Sequence, residues 1–388
     1  MAENFIPYGR QDITKEDIEV VIQTLQSEFL TQGPQVPAFE NAVATRTGSA
    51  HAVAVNSATS ALHIACMALD LGPGDWLWTV PNTFVASANC AIYCGAKVNF
   101  VDIDPNTYTM CPTALATKLE IAKAAGKLPK VIVPVHLCGQ SADMEAVAKV
   151  ANIYNIKIIE DASHSIGASH QGSPVGDCKY SDITVFSFHP VKIITTCEGG
   201  LATTQDKYLA RKMELARSHG ITREPSEMTH PPDGPWYYQQ ISLGYNYRMT
   251  ELQAALGISQ LNRLDEYVER RRLLAERYSL LMSSFPVRLP VQHPDSSSSW
   301  HLYVIRVEAE LHSKVFKALR DANIGVNLHY IPVHMQPFYR EMGFGPGQFP
   351  NAENYYAEAI SIPIYAGLSD AEQQRVIEEV AKAMEIQK

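Results

Sequence analysis

Residues 181–200 read SDITVFSFHPVKIITTCEGG. The apolar run 183–188 has the composition of a buried strand, His189 and Pro190 turn the chain, Lys192 follows, and Thr195, Thr196 and a flexible pair, Gly199 and Gly200, come after it. One lysine is thereby presented at a strand end. A reactive lysine needs a rigid support, a dry setting that lowers its pKa from about 10.4, and small neighbours that admit a substrate. This stretch supplies all three. The ordinary alternative is a lysine in an exposed loop, since lysine is seldom buried, and the rest of the chain decides between the two.

Outward from this stretch, strand and helix patterns alternate. Strands are predicted at 52–55, 76–80, 97–101, 130–135, 156–160, 183–188 and 200–204, with helices between them at 84–93, 112–125, 144–154 and 206–218. Repeated βα units imply an α/β fold with a mostly parallel sheet covered by helices on both faces, and a ligand site beyond the carboxyl ends of the strands. Before this series, residues 1–10 read as an extended arm. Thr14 and Asp17 then open a helix whose apolar stripe is Ile18, Val21, Ile22 and Leu25, and Val36, Phe39, Ala42 and Val43 mark a second helix. After Gly220 the run ITREPSEMTHPPDGPWYY reads as a long exposed loop, a lid or subunit contact. Helical periodicity then spans 250–283, with a long charged helix of the kind that bridges domains. A strand at 303–307 and helices at 313–323 and 369–384 complete a small α/β unit. The expected division is 1–250, an arm plus large domain, and 251–388, the bridging helix plus small domain.

Composition excludes several function classes. The 388 residues are 46% hydrophobic and 19% charged, with no apolar run approaching the ~20 residues that cross a bilayer. The start, MAENFIPYGRQDITKED, has neither the basic nor the apolar region of an export signal. Seven cysteines without metal-ligand spacing suit a reducing cytoplasm, and Cys90 and Cys94 read as buried thiols. A net charge of −9 argues against a nucleic-acid partner.

Other segments carry candidate chemistry. Asn56 to Ser60 join a strand to a helix, where unpaired N–H groups can cradle a phosphate; an ordinary N-cap by Ser57 or Thr59 is the alternative. Asp161 ends the strand 156–160 and can hold a proton on a heteroaromatic nitrogen, or cap the next turn. His164 reaches a ring oxygen or is a satisfied buried histidine. Phe84 stacks on a flat cofactor or packs in the core. Ser187 adds a hydroxyl to a phosphate or faces inward. A nest, an aromatic platform, an aspartate and a lysine together fit one cofactor, pyridoxal 5′-phosphate (PLP).

The stretches IPYGRQDITKEDI, FLTQGPQVPAFE, NSATSALH, NTFVASAN, FVDIDPNTY, PVHLCGQSADM, IEDASHSIGA, SDITVFSFHPVK, EGG, LARSHGI, LGYNYRMTELQAALG and HYIPVHMQPFY span nearly the whole chain. In this order they resemble the DegT/DnrJ/EryC1/StrS sugar aminotransferases, which implies a fold-type I PLP-dependent transferase (aspartate aminotransferase-like). By this resemblance Lys192 carries the cofactor as a Schiff base, Asp161 pairs with the ring nitrogen, His164 lies beside the ring hydroxyl and Phe84 stacks on the ring. Ala58 and Thr59 N–H groups and the Ser187 hydroxyl take the phosphate, and Asn246 reaches the neighbouring subunit's phosphate, which implies a homodimer with shared sites. Ala58 and Cys197 stand where relatives carry Gly or Gly/Ala.

The implied reaction moves the amino group of L-glutamate to a UDP-linked keto sugar. IPYGRQDI, FLTQGP, SFHPVK and HYIPVHMQPFY are most similar to the C4 aminotransferases of pseudaminic acid biosynthesis, which make UDP-4-amino-4,6-dideoxy-N-acetyl-β-L-altrosamine. Tyr8, Arg10, His329, Tyr330 and His334 are candidates for sugar or pyrophosphate contacts, each with a structural hydrogen bond as the alternative. Another nucleotide-4-keto-6-deoxy sugar remains open as the acceptor. A sugar dehydratase is disfavoured because Lys192 is retained, and a PLP-binding regulator because no added basic domain is present.

Overall fold

The computed structural model describes residues 4–385 of the chain. Seven strands form one sheet: β1 (His51–Val55), β2 (Trp76–Thr79), β3 (Lys97–Phe100), β4 (Val131–Val133), β5 (Lys157–Asp161), β6 (Ile183–Ser187) and β7 (Gly200–Thr204), in the order β1-β7-β6-β5-β4-β2-β3. The pairings from β6 across to β3 are parallel, and β7 is antiparallel to both of its neighbours. Successive strand residues point to opposite faces. Val53, Val55, Val185 and Ala202 therefore pack into one core with α3 (Ala58–Ala68) and α4 (Ala86–Tyr93), while Ala54, Phe186 and Leu201 pack into another with α2 (Gln35–Thr47).

A third core lies in the C-terminal part. Strands β8 (Tyr303–Arg306) and β9 (Ala359–Ile362) pair antiparallel, and Tyr303, Ile305, Ile360 and Ile362 bury one face with Val315, Leu319, Val376 and Val380. Val304, on the opposite face of β8, joins the large core. This second sheet is thus pinned against the first.

Several expectations are corrected by packing. The helix predicted from Thr14 forms as α1 (Lys15–Leu25), with the Thr14–Asp17 capping box in place, but its apolar stripe faces solvent: Ile18 is 52% exposed, Ile22 48% and Leu25 55%. Its buried face is polar. Asp17 accepts hydrogen bonds from Ser259 Oγ (2.6 Å), Gln260 Nε2 (2.7 Å) and Arg263 (2.6 Å). The long charged helix is two helices, α5 (Glu251–Leu261) and α6 (Leu264–Leu281), broken at Asn262 and Arg263. Helix α5 packs against α1 and α2, and α6 runs between two cores: Leu264, Tyr267 and Val268 pack with α2, while Leu274, Ala275 and Tyr278 pack with β8 and β9.

At Gly199 and Gly200 it is space, rather than freedom of the backbone, that calls for glycine. A Cβ on Gly199 would strike Thr196 and Met249, and one on Gly200 would strike the backbone of Ser57 and Ala58. Cys94 is half-buried rather than buried. Residues 1–3 of the expected arm lie outside the described residues. From Ile6 onward the arm is extended and docked, with Ile6 N–H donating to Asn323 O (3.0 Å) and Ile364 N–H donating to Tyr8 O (3.1 Å). The long loop is closed at its base by Ile221–Thr222 pairing with Gln239–Gln240. Among the described residues no helix is long and apolar enough to cross a membrane, and no side-chain cluster has the makings of a metal site.

Candidate active site

Lys192 sits in a loop closed at its neck. Phe188 N–H donates to Gly199 O (2.9 Å), Thr196 N–H to Phe188 O (3.0 Å), and Lys192 N–H to His189 O (2.9 Å), while Ile193 and Ile194 are buried beneath. The backbone is therefore rigid where the lysine leaves it. Among the described residues its Nζ has no hydrogen-bond or ion-pair partner. Burial lowers the amine to about 8, with Asp161 pulling the other way. A neutral amine is thus accessible near physiological pH.

Asp161 ends β5 beside the strand that carries the lysine loop. Its carboxylate accepts from Ser87 Oγ (2.6 Å) and from Ser163 N–H (3.1 Å), and Ser87 is in turn held by Thr83 (2.8 Å). These donors are neutral, so the buried negative charge is oriented but has no hydrogen-bonded cation. That is the arrangement a protonated ring nitrogen would complete.

The nest forms where β1 enters α3. Ser57 caps the helix by accepting from Ser60 N–H (3.1 Å), leaving the N–H groups of Ala58 and Thr59 ahead of the first intrahelical bond. Gly200 passes so close beneath Ser57 and Ala58 that no side chain fits between them. Ser187, at the end of β6, faces the same space.

One cavity of about 410 Å³ joins these pieces: Ala58, Thr59, Asp161, Ser187 and Lys192 line it. Phe84, His164, Tyr8, His329 and Tyr330 line it too, and Phe84 is 58% exposed with its ring 6.1 Å from that of Tyr330. His329 donates to or accepts from Ser361 Oγ (2.8 Å), and burial together with Lys192 lowers it to about 3, so it is neutral. The donor set fits PLP: a carboxylate without a cation, an unpaired lysine, free helix N–H groups and an aromatic face.

Three expected site residues do not line this cavity. Arg10 is exposed in a separate recess with Asp12, Tyr365 and Glu372. His334 is fully buried, bonded through Nε2 to Glu353 (2.9 Å) and packed against Phe100 and Phe349; its structural alternative is the one that holds. Asn246 is exposed on the surface of its own chain, bridged to Ser218. Conversely, sequence reading missed His301, whose ring lies 4.4 Å from that of His164, as well as Asn327, Thr83 and the Ser87 support of Asp161. His301 reaches the cavity only because β8 is pinned to the large core, and no local pattern announces that.

Residues 11–381 match the DegT/DnrJ/EryC1/StrS aminotransferase family. The spore coat polysaccharide biosynthesis protein SpsC of Bacillus subtilis is 41% identical over 384 residues, covering 97% of this chain and 96% of that protein. The UDP-4-amino-4,6-dideoxy-N-acetyl-beta-L-altrosamine transaminase of Campylobacter jejuni is 37% identical over 364 residues, 93% and 92% of the two chains. Among solved structures, Helicobacter pylori PseC, an aminotransferase involved in the biosynthesis of pseudoaminic acid, superposes with a TM-score of 0.89 at 30% identity over 98% of this chain and 100% of that one. Spr1654 from Streptococcus pneumoniae in its PLP form gives 0.89 at 29% identity, over 99% and 100%. The chain belongs to the DegT/DnrJ/EryC1/StrS aminotransferase family and is a PLP-dependent transaminase of fold type I.

Proposed function

We propose that this enzyme moves the amino group of L-glutamate to C4 of a UDP-linked 4-keto-6-deoxy-N-acetylhexosamine, giving UDP-4-amino-4,6-dideoxy-N-acetyl-β-L-altrosamine. The observation that carries the reading is the pairing, in one cavity, of an unpartnered Lys192 with an Asp161 held only by neutral donors. Support for the sugar comes from the 37% identical transaminase of that name. When bound, the cofactor supplies an aldehyde for the amino group and a ring that accepts electrons. Lys192 Nζ, which burial brings to about 8, would take the proton from the α-carbon of the donor and deliver it to the former aldehyde carbon of the cofactor. Asp161 keeps the ring nitrogen protonated, Ala58, Thr59 and Ser187 hold the phosphate, and Phe84 covers the ring face. Tyr8, His329 and Tyr330 line the same cavity and are the candidates to contact the acceptor sugar.

A second chain completes this reading. The outward stripe of α1 continues into exposed Ile13, Phe29 and Leu30, an apolar surface that a homodimer would cover. Asn246, exposed and outside its own cavity, would then serve the neighbour's phosphate. Seven free cysteines fit a reducing, cytoplasmic setting. One observation favours a different acceptor: the 41% identical relative is named for spore coat polysaccharide, so another nucleotide-4-keto-6-deoxy sugar is the second reading.

The test is product formation, followed by mass spectrometry, from L-glutamate and a panel of UDP-, dTDP- and GDP-4-keto-6-deoxy sugars. The expected result is an amino sugar from the UDP-N-acetyl substrate, abolished by Lys192→Ala. A product only from another sugar moves the assignment to the second reading, and turnover by Lys192→Ala refutes the lysine's role. Restored activity on mixing Asn246→Ala with Lys192→Ala subunits supports the shared site.

A further inference from the structure

Two neighbouring side chains in the cavity fix each other's protons. The backbone N–H of Cys138 donates to Nδ1 of His164 (3.3 Å). A ring nitrogen that accepts carries no hydrogen, so the neutral imidazole bears its proton on Nε2. That Nε2 lies 3.1 Å from the Tyr330 hydroxyl and must be the donor to it. Tyr330 Oη is then an acceptor in this bond, and its own hydrogen points elsewhere. Among the described residues no acceptor receives it, although the side chain lines the cavity beside Asp161 and Lys192.

The charge states agree with this direction. His164 is pushed well below its ordinary value by burial, then by Lys192 and His329, so it stays neutral. Tyr330 is pushed up by burial, then by Cys138, Asp161 and Tyr8, so it keeps its proton. His301, its ring tilted against that of His164, is also held neutral by burial and its neighbours. A buried hydroxyl whose hydrogen has no acceptor is at a disadvantage until a ligand supplies one.

We propose that Tyr330 is the hydrogen-bond donor this cavity presents to an electron-rich oxygen of its ligand, with His164 as the positioning residue that fixes the direction of the proton. The inference rests on the transaminase reading and revises the part expected of His164, whose only ring hydrogen is already committed to Tyr330. Two oxygens have the required chemistry: the phenolic oxygen of the cofactor ring and the carbonyl oxygen of the keto acceptor.

The experiment compares Tyr330→Phe, His164→Leu and His164→Gln with the wild type as holoenzymes, after thermal midpoints and cofactor content have been matched. Two quantities are read: the pH midpoint of the cofactor's visible band without substrate, and the single-turnover rates of the glutamate and keto-sugar half-reactions. If the ring oxygen is the acceptor, Tyr330→Phe raises the midpoint by about one pH unit, because the unneutralised oxygen holds the neighbouring proton more tightly. If the sugar carbonyl is the acceptor, the keto-sugar half-reaction falls about tenfold while the glutamate half-reaction does not. In either case His164→Leu reproduces the effect and His164→Gln, which can accept at Oε1 and donate from Nε2, largely preserves the wild-type value. A Tyr330→Phe protein within twofold on both rates and unmoved in midpoint overturns the proposal, as does an equal fall in both half-reactions with the midpoint unmoved. A His164→Leu protein that behaves as wild type overturns the positioning role. Failure of the underlying reading is distinct, because it shows in the wild type as no visible band or no amino transfer.

Discussion

Two buried aspartates, Asp17 and Asp161, make opposite use of burial. Asp17, on the inner face of α1, is bonded to Ser259, Gln260 and the Thr14 backbone and forms an ion pair with Arg263. Asp161, at the end of β5, has among the described residues only the Ser87 hydroxyl and the Ser163 N–H as partners of its side chain. The first site is complete as folded, with its charge compensated by the chain. The second is oriented and left without a cation, beside a lysine that is itself unpaired. A functional carboxylate is marked here less by burial than by what the fold withholds from it.

Substitutions separate the two. Asp161→Asn should lower transamination about a thousandfold, roughly 4 kcal/mol, since an amide cannot hold a proton on a ring nitrogen, while the urea midpoint of the protein without cofactor changes little. Steady-state kinetics beside urea denaturation check both halves. Asp17→Asn should do the reverse, costing about 3 kcal/mol of stability by leaving Arg263 without its partner, with turnover retained by the folded fraction. Equal effects of both variants on kcat would end the contrast.

A pH series sharpens it. Burial alone would raise the Asp17 carboxyl, but its bonds to Ser259, the Thr14 backbone, Gln260 and Arg263 together hold it below its ordinary value. A carboxyl lowered in the folded state stabilises fully above its unfolded pKa of about 3.9 and loses that contribution as pH falls through the folded value. Wild-type urea midpoints should therefore drop below about pH 4 more steeply than those of Asp17→Asn. The smallest expected effect is that of Ser87→Ala. It removes one of the two neutral donors to Asp161 and should slow turnover about tenfold, near 1.4 kcal/mol, with stability almost unchanged.

Much of the fold was legible because β-branched runs and small-residue turns carry local signals. The seven strands of the main sheet fall where alternation and apolar runs place them. Helix α1 shows the limit: periodicity identified which residues share a face, but the direction of that face depends on Asp17 meeting Ser259 and Arg263 far along the chain. The break at Asn262 and Arg263 was hidden by continuous helix-forming composition on both sides. In the cavity, Lys192, Asp161 and the Ser57 turn were readable because each sits at a strand end. His301 and Asn327 were not, since they arrive from the C-terminal part through the packing of β8 and the segment before β9. His334 misled for the converse reason: a polar residue in a promising motif is spent on Glu353.

The place of β7 between β1 and β6 has a consequence for how the chain acquires its cofactor. Strand β1 carries the phosphate nest at its end and is registered against β7, with His51 opposite Thr204 and Val55 opposite Gly200, while β7 also closes the lysine loop against β6. Both halves of the site are thus joined by one late, sequence-distant pairing, of the kind that raises contact order and slows folding. At ribosomal rates of about 5–20 residues per second, the nest waits roughly seven to thirty seconds for the strand that completes it. A nascent chain stopped before residue 200 lacks the strand that joins β1 to β6, so cofactor capture should follow synthesis of β7 and report on the closure of the sheet.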